Sequence, residues 1–235
     1  RIMPAGIVNV SNSKGENFNA FLATPDSGQG PGIIVLQEIF GINFVMREIC
    51  HGLAAQGYTA ICPDLFWRIQ PGVELCDKTE GEWGKAFELY QSFDVDQGIK
   101  DAESTMDHLK KHESCTGKVG AVGYCLGGKL SYLMSTRTNV DCSVGYYGVG
   151  IENDLKEADN ISSPHLQHIA EEDQFVPKEN QEKVKGHLQE NSFVTLHSYA
   201  GVDHAFARIG GEHYDQEAAE LANKRTFEFF KTNLI

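Results

Sequence analysis

Lys118-Val119-Gly120-Ala121-Val122-Gly123-Tyr124-Cys125-Leu126-Gly127-Gly128 is the stretch from which the rest of the chain is best read. Residues 118–122 read as a short buried strand, and Leu126 to Leu133 as the start of a helix. Between them lies Gly123-Tyr124-Cys125-Leu126-Gly127, a Gly-x-nucleophile-x-Gly turn with cysteine where serine is commoner. A residue on so tight a strand-to-helix turn is strained, and flanking glycines leave room where side chains would clash. The thiol then projects above the sheet edge, where the next backbone N–H and the helix N-terminus favour negative charge. The glycines at 120, 123, 127 and 128 do not fit Gly-x-Gly-x-x-Gly, which excludes a dinucleotide fingerprint. The pentapeptide alone leaves a plainer reading open, because free cysteines are commonly small buried hydrophobes.

Cysteine catalysis needs a base within hydrogen-bond reach and a third group to orient it. Asp173 follows the apolar segment Pro164 to Ala170, and His204 follows the segment Phe193 to Tyr199. Both are expected on loops at strand C-terminal ends, the sheet edge that also carries Cys125. Nine histidines occur in the chain, and a loop histidine is ordinarily a solvated one. Position, the order nucleophile–acid–histidine and the neighbouring Gly201 select His204. His165 and His168 look metal-like, but a three-residue spacing on a strand points the rings to opposite faces. No metal and no cofactor is expected.

The alternation of elements points to an α/β fold. Strands are expected at Ile7 to Val10 and Phe18 to Ala23, the second like an edge hairpin, then at Gly32 to Leu36 and Tyr58 to Cys62. A helix fits Phe44 to Gln56, closed by Gly57. Residues 66–80 are longer than an ordinary connector and suggest a lid or site-forming loop. Helices follow near 82–91 and 94–112. Beyond the elbow come helix 126–136, strand Cys142 to Tyr147, a polar loop, strand Pro164 to Ala170, helix 178–189, strand Phe193 to Tyr199 and a last helix near 215–231. Strand–helix repetition of this kind implies a mainly parallel sheet with helices on both faces. With no linker or repeat, 1–235 reads as a single domain.

Composition narrows the partners. A net charge of −13 over 235 residues argues against nucleic acid or an anionic membrane as partner. No run spans a bilayer, and the opening residues carry no signal-peptide pattern, a weaker point because the chain begins at Arg1. The six cysteines are scattered without Cys-x-x-Cys, which suits a reducing cytoplasm and a free Cys125. The expected partner is a small molecule, with the protein a monomer or weak homo-oligomer.

The chain resembles the dienelactone hydrolase family of the α/β-hydrolase superfamily, over nearly its whole length. The resemblance is carried by Gln37-Glu38-Ile39-Phe40-Gly41, Cys62-Pro63-Asp64-Leu65, residues 122–128, Val144 to Gly150, and His204-Ala205-Phe206-Ala207-Arg208. It implies an α/β-hydrolase fold and opening of the enol-lactone ring of a dienelactone, as in breakdown of chlorinated aromatics. It assigns Cys125 as nucleophile, His204 as base, Asp173 as its orienting carboxylate, and Glu38 as a helper in forming the thiolate. Backbone N–H groups of Ile39 and Leu126 match the oxyanion hole. Arg208 matches one of two arginines that hold a substrate carboxylate; the other position falls near Trp83, and Ala205 stands where relatives have serine. Arg208, Trp83 and Tyr124 are the expected substrate-binding residues. An esterase, thioesterase or peptidase-like relative, or a ligand-binding relative without turnover, remain the alternatives.

Overall fold

Each unit of the fold is built around parallel strands with buried apolar runs. The computed structural model describes residues 5–235, and the chain divides into two compact units with the boundary after Gly120. In the first unit, β1 (Ala5–Ser11) and β2 (Asn17–Ala23) form an antiparallel hairpin that pairs Ala5 with Ala23 and Ser11 with Asn17. Asn12 closes it, its Oδ1 accepting the N–H groups of Lys14 and Glu16 at 3.0 Å each. β2 runs antiparallel to β4 (Thr59–Pro63), and β4 parallel to β3 (Gly30–Leu36). The order is β1-β2-β4-β3, then β5 (Cys115–Tyr124), whose later residues belong to the second unit.

Helix α1 (Phe44–Ala55) starts where Asn43 Oδ1 accepts the Met46 N–H at 3.1 Å, and it stops at Gly57, whose φ of 97° only glycine tolerates easily. Helices α2 (Glu80–Ser92) and α3 (Val95–Lys111) follow. The helical spacing of Ile99, Ala102, Met106 and Leu109 gives α3 its buried apolar stripe. The segment between β4 and α2 is irregular, as expected, and is held at several points. Asp64 Oδ2 accepts the Gly72 N–H at 2.8 Å, the Phe40 carbonyl accepts the Leu75 N–H at 2.9 Å, and Arg47 pairs with Glu74 at 2.6 Å. It is a fastened wall rather than a loose lid.

The second unit continues the order as β5-β6-β7-β8, with β6 (Cys142–Tyr146), β7 (His165–Ala170) and β8 (Val194–Tyr199) parallel. Its helices are α4 (Leu126–Arg137), α5 (Lys178–Leu188) and α6 (Gln216–Leu234). The polar loop expected after β6 contains two short 3₁₀ turns, Ile151–Asn153 and Leu155–Asn160. They are tied to α4 where Tyr132 Oη donates to the Asp154 carbonyl at 3.0 Å and Arg137 meets Glu157 at 2.8 Å. His165 and His168 are core histidines with separate partners. His165 Nδ1 pairs with Ser143 Oγ at 2.7 Å, and His168 bridges Tyr199 Oη at 2.8 Å and Thr226 Oγ1 at 2.9 Å. Burial holds both pKa values well down, so both rings are neutral. Among the described residues no helix is long and apolar enough to cross a membrane.

The turn after β5 has almost no slack. A Cβ on Gly123 would lie 1.8 Å from the Gly127 carbonyl oxygen, and one on Gly128 would lie 2.6 Å from that of Tyr146. Gly123→Ala is therefore expected to cost about 3 kcal/mol through forced backbone shifts. Gly81→Ala, on α2 with nothing within 4 Å, should be neutral or stabilising. Urea midpoints of the two variants check the contrast; equal midpoints would show that the turn relaxes freely.

Candidate active site

Cys125 closes β5 and precedes α4 with φ 60° and ψ −116°, a conformation that an L-residue holds only when its surroundings enforce it. They do so from both sides. Its N–H donates to the Tyr146 carbonyl at 3.0 Å, and its own carbonyl accepts the Gly128 N–H at 2.9 Å. The thiol is half-buried, and Leu126 supplies the first N–H of α4, one of the donors a helix start leaves without an intrahelical acceptor.

Asp173 and His204 lie on the loops after β7 and β8, in the same unit as Cys125. Asp173 Oδ2 meets His204 Nδ1 at 2.9 Å, and both side chains are almost wholly buried. The other carboxylate oxygen, Oδ1, accepts the Phe175 N–H at 2.9 Å, so the carboxylate cannot rotate freely. His204 Nε2 is buried and meets no nitrogen or oxygen partner among the described residues. The group bearing on it is the Cys125 thiol. Burial by itself would push the imidazole's pKa down, but the Cys125 thiolate and the Asp173 carboxylate outweigh it and hold the pKa up at about 10.

Three further side chains support this histidine. Tyr147 and Phe175 set their rings edge-on to the imidazole, with centroids at 5.0 Å and 4.8 Å. Tyr147 is itself strained, at φ 39°, while its N–H donates to the His168 carbonyl at 2.8 Å. Asp203 joins the loops that carry Asp173 and His204, since its Oδ1 accepts the Gln174 N–H at 2.9 Å and the His204 N–H at 2.6 Å. Beside Asp173 lies a cavity of about 30 Å³ lined by Tyr147, Gly148, His168 and Gln181, room for about one water and too small for a substrate.

The remaining expected site residues fall as follows. Arg208 is only 6% exposed, on the turn that begins at His204, so it is no solvent-facing charge. Tyr124 is buried and lays its ring against Tyr146 at 4.7 Å. In the first unit, Glu38 is 2% exposed just past β3, and Ile39 beside it is buried. Trp83, on α2, donates Nε1–H to the Asp77 carbonyl at 2.8 Å and packs between Phe40 and Phe87. Among the described residues no group of three or more His, Cys, Asp or Glu side chains assembles into a metal site.

An elbow cysteine, a loop aspartate and a loop histidine in this chain order can carry out acyl transfer, and the dienelactone hydrolase family matches residues 18–234. The chain belongs to that family. A protein of Azospirillum brasilense with a provisional carboxymethylenebutenolidase name is 48% identical over 220 residues, 93% of this chain and 94% of its own. The carboxymethylenebutenolidase of Pseudomonas putida is 38% identical over 222 residues, 94% of each chain. A crystal structure from Klebsiella pneumoniae with a provisional dienelactone hydrolase name superposes with a TM-score of 0.86 at 25% identity, covering 98% of this chain and 99% of that one. This dienelactone hydrolase family member thus has the α/β-hydrolase fold and is a carboxylic ester hydrolase.

The electrostatics of His204 can be tested directly. Two anions raise its pKa, so removing either should lower the pH at which the ring loses its proton. Cys125→Ala and Asp173→Asn should each shift the His204 titration down from about 10, as read by NMR of the labelled imidazole. An unmoved titration in Cys125→Ala would show that the thiolate does not act on the ring.

Proposed function

We propose that the protein opens the enol-lactone ring of a dienelactone-type substrate by acyl transfer to Cys125, the whole chain serving as one catalytic domain. The observation that carries this reading is His204, bonded to Asp173 at 2.9 Å on one side and to the Cys125 sulfur on the other. His204 takes the thiol proton, assisted by Glu38, and the thiolate attacks the lactone carbonyl carbon. The carbonyl oxygen becomes an oxyanion, held by the N–H groups of Leu126 and Ile39. As it collapses, the ring C–O bond breaks and the enolate leaves. An enolate is a good leaving group; it takes up the proton that His204 holds, giving the oxo form and returning the imidazole to its basic state. Water, deprotonated by His204, then cleaves the thioester and frees the Cys125 thiol. The roles of Glu38 and Ile39 rest on the family resemblance, supported for Glu38 by its burial.

Arg208 is the proposed carboxylate holder, because a guanidinium offers a planar bidentate contact on the same turn as the base. Trp83 presents apolar surface stacked with Phe87 where a second arginine would add charge. That stack favours a second reading, hydrolysis of small neutral or aromatic esters and thioesters. Tyr124, on the elbow beside Cys125, is kept as a substrate-binding residue. All six cysteines are free, which fits a reducing cytoplasm.

Cys125→Ala should abolish hydrolysis with the fold retained, and Cys125→Ser should be much slower than wild type. Mass spectrometry of the wild type quenched during turnover should find an acyl adduct on Cys125; equal rates for wild type and Cys125→Ser would contradict a thiolate mechanism. Asp173→Asn is expected to lower kcat by about 10²–10⁴ by disturbing the orientation of the histidine.

Substrate choice is tested with a carboxylated lactone and its methyl ester. Arg208→Ala should slow the acid and hardly change the ester. An acid preference that survives Arg208→Ala would place the anion-binding group elsewhere.

A further inference from the structure

Gln37 lies between the end of β3 and Glu38, with its side chain fully buried. A buried primary amide is costly unless both ends find partners. Here Oε1 accepts the Leu65 N–H at 3.0 Å, and Nε2 donates to the Glu38 carbonyl at 3.1 Å. Only one orientation of the amide satisfies this pair, because a flip would set donor against donor and acceptor against acceptor.

The consequence lies in the next peptide bond. The Glu38 carbonyl and the Ile39 N–H belong to one planar trans peptide and point to opposite sides of it. Whatever holds the carbonyl therefore aims the N–H. The following residues are held as well. The Phe40 carbonyl accepts the Leu75 N–H at 2.9 Å, and Gly41, at φ 75°, passes so close to the Val73 carbonyl that a Cβ would lie 1.9 Å from its oxygen. An oxyanion donor is effective when it needs no reorientation as charge appears.

We propose that Gln37 is a positioning residue for the hydrolysis: its amide clamps the Glu38 carbonyl and so points the Ile39 N–H for its work as an oxyanion donor. The inference rests on the role given to Ile39 above. It separates two tasks carried by adjacent groups, with the Glu38 carboxylate concerned with the thiol proton and the Glu38–Ile39 peptide with charge on the substrate oxygen.

Two reactions of Cys125 separate a positioning role from a merely structural one. Alkylation by iodoacetamide displaces iodide at a saturated carbon, forms no oxyanion, and depends on the thiolate alone. Acylation by p-nitrophenyl acetate, followed as p-nitrophenol release, passes through a tetrahedral oxyanion. In Gln37→Met, which keeps the side chain's length but neither hydrogen bond, acylation should fall about 10²-fold while alkylation keeps its wild-type rate. Acylation and alkylation falling by one factor, or acylation unchanged in the folded variant, would overturn the proposal.

Gln37→Glu gives a second test that holds even if the methionine variant fails to fold. It keeps the acceptor for the Leu65 N–H and regains a donor for the Glu38 carbonyl only when protonated. Its acylation-to-alkylation ratio, relative to wild type, should fall as pH rises. A ratio that follows the wild type at every pH overturns the proposal. Hydrolysis persisting in Cys125→Ala would instead refute the nucleophile assignment, an outcome distinct from any result at Gln37.

Discussion

The backbone of Cys125, at φ 60° and ψ −116°, is the constraint on which the second unit depends. Such a conformation costs an ordinary residue about 1–3 kcal/mol and persists only where the surroundings over-determine it. The over-determination here is steric as much as it is hydrogen-bonded. Gly123 and Gly127 cross with no room for a Cβ, while Gly128 lies against the end of β6. Because α4 is buried along almost its whole length, it cannot shift to relieve the turn. The strain is therefore fixed by packing spread over many residues, and the thiol sits on a turn with little room to relax.

His204 is governed by the balance between burial and charge. Desolvation opposes an imidazolium, yet the same low dielectric strengthens the attraction of the Cys125 thiolate and of Asp173. The attraction wins because the two anions bear on one ring whose position is held independently of its charge. Asp203 bonds both loops through backbone N–H groups, and Tyr147 and Phe175 bracket the ring. Ala205, at φ 65°, makes the chain turn sharply just after the histidine and carries Arg208 into the interior of the same turn. In the proposed acyl-transfer cycle, a base poised this way keeps its geometry through both halves, when its protonation state changes.

The sequence was most informative where periodicity or punctuation mirrors local geometry. The buried strand runs, the stripe on α3 and the stop at Gly57 all follow from short-range rules, and the elbow is legible because only small residues fit beside it. Asp173 and His204 could be read because chain order and strand ends place them. Asp203 had no such signal, since a loop aspartate next to a histidine looks like any solvated charge until its acceptor geometry is known. The strain at Tyr147 was equally hidden, because a tyrosine gives no hint of positive φ. The 3₁₀ turns after β6 were missed since Glu152 to Asn160 is polar in composition, and what orders them is the contact with α4.

Asp203, Asp173 and Gln37 share one function in this protein: they hold backbone groups. Asp203 accepts from the main chain of the loops carrying Asp173 and His204, Asp173 spends one oxygen on the Phe175 N–H, and Gln37 gives both ends of its amide to peptide groups. Backbone donors have no rotamers to lose, so once their peptide planes are fixed they are already oriented for charge that appears only in the transition state. A hydrophobic residue of similar volume could fill any of these positions without leaving a void, but it could not choose the direction of a neighbouring N–H. Direction is the property the proposed acyl transfer needs from such groups, and under that proposal it accounts for burying the Gln37 amide and the Asp173 carboxylate despite their desolvation cost.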